Sequence, residues 1–205
     1  MNILSIESTT DVCGVCVVTP HETLYYQEIT QPKIHSEKLP QFVHNAIHQS
    51  KKPISAIAVS IGPGSYTGLR IGVSLAKGLA FAMGLPIITV PTLVSMNDSL
   101  ESEDNPRYVF VHSYGEWIFV QKFLNALAES EPQCIRIKDF QPDSVVNRIY
   151  GYGDFFSEQK EFEVQQVCPS SKWVGNSAIK NFDLWVENDI NKVTPLYITN
   201  FKLQS

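Results

Sequence analysis

Apolar positions in the first hundred residues follow two alternating patterns. Short apolar runs at 2–7, about 12–19 and about 23–30 are separated by Ser8-Thr9-Thr10-Asp11 and Pro20-His21-Glu22. Runs of this length between turn residues predict three strands, and the short turns predict antiparallel neighbours. After Ser36 the spacing changes. Leu39, Phe42, Val43, Ala46 and Ile47 recur at threes and fours, which predicts an amphipathic helix over 36–50. Residues 54–60 are apolar without alternation, as expected of a strand covered on both faces. A second helix is predicted over 69–83, stopped by Gly84 and Pro86. A fifth strand at 85–90 and a third helix from Thr92 to about Leu100 complete this half.

The predicted order is βββ-α-β-α-β-α. Three antiparallel strands followed by alternating helix and strand imply a mixed sheet flanked by helices. This is the order of a ribonuclease-H-like or actin-like half. The polar break at Glu101-Ser102-Glu103-Asp104-Asn105-Pro106 marks a boundary, giving subdomains at 1–104 and 105–205. Beyond it, 108–111 and 117–123 predict a hairpin turning at Ser113-Tyr114-Gly115-Glu116. Residues 143–150 predict a short helix, 170–187 contain a further helical stretch, and 195–198 form a last apolar run.

Composition narrows the function. The chain has 205 residues, 43% hydrophobic and 18% charged, with a formal net charge of −5 and no Lys/Arg block. That argues against a nucleic-acid binder acting alone, because phosphate contacts need clustered positive charge. It leaves room for an RNA enzyme whose basic surface lies on another subunit. No signal-peptide pattern and no run of about 18 apolar residues is evident, so the expected compartment is the cytoplasm, with no membrane contact. Cys13 and Cys16 have CxxC spacing but lie in a predicted strand. Residues three apart on a strand point to opposite faces, so they are expected to be reduced core cysteines.

The most informative segment is Ser60 to Gly72, reading S-I-G-P-G-S-Y-T-G-L-R-I-G. Gly62, Pro63, Gly64 and Gly68 predict a tight turn that brings bare backbone close to something. One reading is a phosphate held by backbone amides at the start of the second helix. However, a P-loop needs Lys then Ser/Thr after its last glycine, and Gly68 is followed by Leu69-Arg70. The third glycine also comes one residue late for GxGxxG. The other reading is a strand-to-helix corner with Ser65 or Thr67 as helix cap. Gly68, Gly72, Ala76 and Ala80, spaced by four, line one stripe of the helix. Such a stripe predicts close approach by another backbone, either the chain's own sheet or a partner's helix.

The run from Gly62 to Ala80, G-P-G-S-Y-T-G-L-R-I-G-V-S-L-A-K-G-L-A, resembles the signature of the bacterial TsaB (YeaZ) family. Ile3 to Thr9 resembles that family's opening strand, with Glu7 where Asp is usual. His35-Ser36-Glu37-Lys38-Leu39, Pro91-Thr92-Leu93 and Pro195-Leu196-Tyr197 resemble further family segments in the right order. The resemblance is dense in the first half and sparse in the second.

The resemblance implies an actin-like ATPase fold of two α/β subdomains, each with a mixed sheet flanked by helices. It implies a non-catalytic subunit of the complex that places threonylcarbamoyl on adenosine 37 of tRNAs reading ANN codons. The expected partners are a TsaD-type paralogue, a TsaE-type ATPase, or a second copy of the chain when alone, with tRNA met only through the complex. The paralogue's HxxxH metal pair corresponds here to Thr92 and Met96, neither a plausible ligand. No catalytic residue, metal or cofactor is therefore expected on this chain; ATP and a metal are expected on partner subunits. The hairpin carries His112-Ser113-Tyr114-Gly115-Glu116-Trp117 where the family has Asp and Arg. His44 and His48, four apart on the first helix, have metal-pair spacing without an evident third ligand.

The implied partner groove is Gly68, Gly72, Ala76 and Ala80, with Leu39, Phe42, Tyr66, Leu69 and Val73 as its apolar neighbours. On that expectation Gly72→Leu would block partner binding and leave the chain folded. Thr9, Thr10, Gly62, Gly64 and Ser65 are the candidate vestigial phosphate loop. The alternatives are an ATP-dependent kinase or ATPase of the same fold and, further off, a metallopeptidase.

Overall fold

A computed structural model describes residues 1–102, 105–146, 148–153 and 164–198. The first sheet contains β1 (Ile3–Glu7), β2 (Val12–Val18), β3 (Thr23–Thr30), β4 (Ala56–Gly62), β5 (Ile87–Pro91) and β12 (Val186–Glu187), in the order β12-β5-β4-β1-β2-β3. β1, β2 and β3 pair antiparallel, while β1-β4 and β4-β5 are parallel. The mixed sheet read from the sequence is present.

Both faces of this sheet are covered, which explains its near-continuous apolar strands. On one side α1 (His35–Gln49) and α2 (Tyr66–Met83) pack on Leu4, Ile6, Val15, Ile57 and Val59. On the other, α4 (Ser171–Lys180) packs on Ile3, Val18, Ala58, Ile88 and Val90. Cys13 belongs to the first layer and Cys16 to the second, as strand alternation requires. Burial raises their thiols to about 11 and about 12.

The second sheet has the order β11-β10-β6-β7-β8 and is built from β6 (Pro106–His112), β7 (Trp117–Leu124), β8 (Leu127–Ala128), β10 (Arg148–Tyr152) and β11 (Val164–Gln166). The short strand β9 (Gln133–Arg136) pairs with β7. α3 (Thr92–Asp98) joins the sheets, inserting Leu93 and Met96 among Val109, Val111 and Phe123.

Several expectations need correction. The helix expected at 143–150 is instead a turn, Val146 N–H to Asp143 O at 2.9 Å, followed by strand β10. β10 runs parallel to β6, and Gly151 lets the Phe110 ring lie against the backbone. The glycine segment also shifts. β4 extends through Gly62, and α2 begins at Tyr66, three residues early, so Gly68 sits inside a helix rather than in a turn. Ser65 is the cap: its Oγ accepts from Gly68 N–H at 3.3 Å. The last apolar run, 195–198, docks at the end of β4, where Leu196 N–H donates to Ile61 O at 2.7 Å. From beyond residue 104, α4 and β12 return to the first sheet.

Candidate functional site

The glycine turn meets the chain's own β1-β2 loop. A Cβ on Gly64 would strike Thr9, and one on Gly68 or Gly72 would strike Ser8. Ser65 N–H donates to Thr9 O at 2.6 Å, and Ser8 Oγ donates to Gly68 O at 2.9 Å. Thr9 N–H and Thr9 Oγ1 both donate to Glu7 Oε1 at 2.6 Å, and Thr10 Oγ1 accepts from Val12 N–H at 3.2 Å. The candidate phosphate residues Thr9, Thr10, Gly62, Gly64 and Ser65 are thus brought together, but as packing. The amides of Thr9, Ser65 and Gly68 are spent within the chain, and Ser8 and Thr9 are wholly buried.

Glu7 sits at the end of β1 beneath this contact. Burial raises its carboxyl to about 7, opposed by the two bonds from Thr9. Its Oε2 has no partner among the described residues. Beside it in the chain's buried centre, Ser60 Oγ and Thr92 Oγ1 share a hydrogen bond of 2.8 Å. Met96 is buried in the core under the second sheet. The two positions matching the paralogue's histidine pair are therefore occupied by packing side chains.

The proposed groove is corrected by the same geometry. Gly68, Gly72, Ala76 and Ala80 face the chain's own sheet, and Leu39, Phe42, Leu69 and Val73 are buried with them. Of the nine residues, Tyr66 alone is exposed, at 53%. α2 carries a second small stripe, Ser74, Gly78 and Ala82, also spaced by four and exposed. A Cβ on Gly78 would meet nothing within 4 Å. Phe81 beside it is 78% exposed, and Ile71, Leu75 and Leu79 are half-buried along its edges. This second stripe was visible in the sequence, yet a four-residue repeat does not say which side of a helix faces the core.

At the start of α2 the exposed stripe meets the C-terminal segment. The Arg70 guanidinium lies 3.9 Å from the Tyr66 ring centre, and Arg70 Nε donates to Tyr197 OH at 3.2 Å. The Tyr66 and Tyr197 rings are 4.7 Å apart. They border a cavity of about 330 Å³ between the two sheets, also lined by Ser65, Ser113, Tyr114 and Leu196. Tyr114, at the hairpin tip, is exposed.

Residues 28–115 match the family model described as "TsaD: tRNA N6-adenosine threonylcarbamoyltransferase". The Escherichia coli protein "tRNA threonylcarbamoyladenosine biosynthesis protein TsaB" is 35% identical over 99 residues, 47% of this chain and 42% of that protein. The sequence match thus spans less than half of that curated relative. In structure, YeaZ from Pseudomonas aeruginosa superposes with a TM-score of 0.82 at 16% identity, covering 96% of this chain and 99% of the other. The chain is similar in sequence to TsaB proteins over just under half of its length and in fold to YeaZ. An inorganic polyphosphate/ATP-glucomannokinase from Arthrobacter superposes over 87% of this chain and 97% of its own, with a TM-score of 0.50 at 9% identity. The fold is thus the actin-like ATPase fold expected from the strand order. No helix among the described residues is long and apolar enough to cross a membrane.

Proposed function

We propose that the chain is a non-catalytic subunit in the biosynthesis of threonylcarbamoyladenosine on tRNA, docking a TsaD-type transferase through the exposed face of α2. The observation that carries this reading is Gly78. Glycine within a helix is less favourable than alanine by roughly 1 kcal/mol. Nothing in the chain's own packing requires it there, since its Cβ position is open. Ser74 and Ala82 one turn to either side keep the surface shallow, and Phe81 offers an apolar anchor. A helix from a partner could approach this stripe closely.

The buried Thr92 and Met96 support the non-catalytic part, as does the spending of the turn's amides inside the chain. ATP and metal would then reside on partner subunits, including a TsaE-type ATPase, and tRNA would be met through the assembly. In the absence of a transferase, a second copy would take the same face and form a homodimer. Kinase and peptidase readings find no observation that favours them.

The test is coexpression with a TsaD-type partner. Gly78→Leu should leave a folded chain and abolish copurification, with loss of tRNA modification in the complex. Retention of the complex at unchanged affinity would overturn the assignment of this face.

A further inference from the structure

We propose that His44 and His48 form a surface binding site for a divalent transition-metal cation of the zinc, nickel and copper class. The two residues lie four apart on α1, on one face of the helix. Their ring centres are 4.3 Å apart and tilted by 59°. Both are exposed, while Val43 just before them and Ala46 between them are buried and anchor the helix.

Neither ring is held by another residue among those described, apart from this mutual contact. That sets the pair apart from His35, bonded to Val12 O, and His112, bonded to Gly115 O. Both imidazoles can therefore turn a nitrogen toward one ion at about 2.0–2.1 Å. The helix pre-orders the pair, so binding costs only the rotation of two side chains.

Two protein ligands leave at least two coordination positions to water, which describes an open, exchangeable site rather than a structural one. Imidazole favours zinc, nickel and copper over magnesium and calcium, with copper bound most tightly. The proposal is independent of the partner assignment above.

The test is calorimetric titration of the isolated chain with zinc, nickel and magnesium chlorides. It is done in a Cys168→Ser background, because the Cys168 thiol is exposed. One zinc or nickel ion per chain is expected, with no saturable magnesium binding. His44→Ala and His48→Ala should each weaken zinc binding by about tenfold or more, with unchanged far-ultraviolet circular dichroism. Absence of saturable zinc binding would overturn the proposal. So would equal affinity in the double variant, or loss on changing only one of the two histidines.

Discussion

Glu7 shows most directly how a single residue couples chemistry to fold. Its carboxyl is wholly buried, and desolvation holds it near 7 against an ordinary 4.5. The folded chain therefore keeps a proton there that the unfolded chain gives up between about pH 4.5 and 7. The stabilisation is complete below pH 4.5 and is lost as pH rises toward 7, by about 3 kcal/mol in all. Glu7→Gln keeps the neutral shape and should flatten that part of the stability profile. Urea unfolding of both proteins at pH 5 and 7.5 checks this: the wild type should lose more on going to pH 7.5. Equal losses would mean that Glu7 is already ionised in the fold. At this scale the sequence was partly legible. Glu7 was placed at the end of a strand and Thr92 at a helix start. The bonds from Thr9 depend on how the loop folds back, which residue type alone does not disclose.

Helix α2 is where sequence and structure part most usefully. Its existence and its stop at Gly84 were readable, and Gly84 indeed takes the left-handed cap at φ +63°. Its orientation was not. Two small stripes, Gly68-Gly72-Ala76-Ala80 and Ser74-Gly78-Ala82, run along the same helix, and the larger one serves the chain's own sheet. This reverses the first expectation for Gly72. A side chain there meets Ser8, so Gly72→Leu should cost about 3 kcal/mol of stability through overpacking. Gly78→Ala should instead gain roughly 1 kcal/mol, because the added methyl meets open space and favours the helix. Chemical denaturation of the two single variants separates the stripes by sign. A destabilised Gly78→Ala would mean that this glycine is needed inside the monomer. The missed strand β10 has a similar cause. Its run Arg148–Tyr152 is short, and its place beside β6 is a long-range pairing that local periodicity does not encode.

At the scale of the whole chain, the second half completes the first. α4 covers the sheet face formed by Ile3, Val18, Ala58, Ile88 and Val90, and β12 pairs with β5. The linkage is also polar. Ser5 Oγ donates to Ser171 O at 2.7 Å. Glu28 Oε2 accepts from Ser171 N–H at 2.9 Å, Ser171 Oγ at 3.0 Å and Ser170 Oγ at 3.1 Å, which fixes the start of α4 on β3. At the other end of α4, Asp98 accepts from Ser177 Oγ at 2.7 Å. A break in composition at 101–106 marked where the sheets divide, but it could not show that the chain would return. Two outcomes follow. A fragment of residues 1–104 exposes an entire apolar sheet face, so it should lack the dispersed amide spectrum of a packed domain and bind a hydrophobic dye. Glu28→Ala in the full chain strips the three donors at Oε2, and Tyr26 OH at Oε1, of their acceptor and should cost about 2 kcal/mol, read as a lower denaturation midpoint with a native spectrum. A 1–104 fragment with a cooperative unfolding transition would show that the first half closes its own core, and α4 would then be an attachment rather than a layer of the fold.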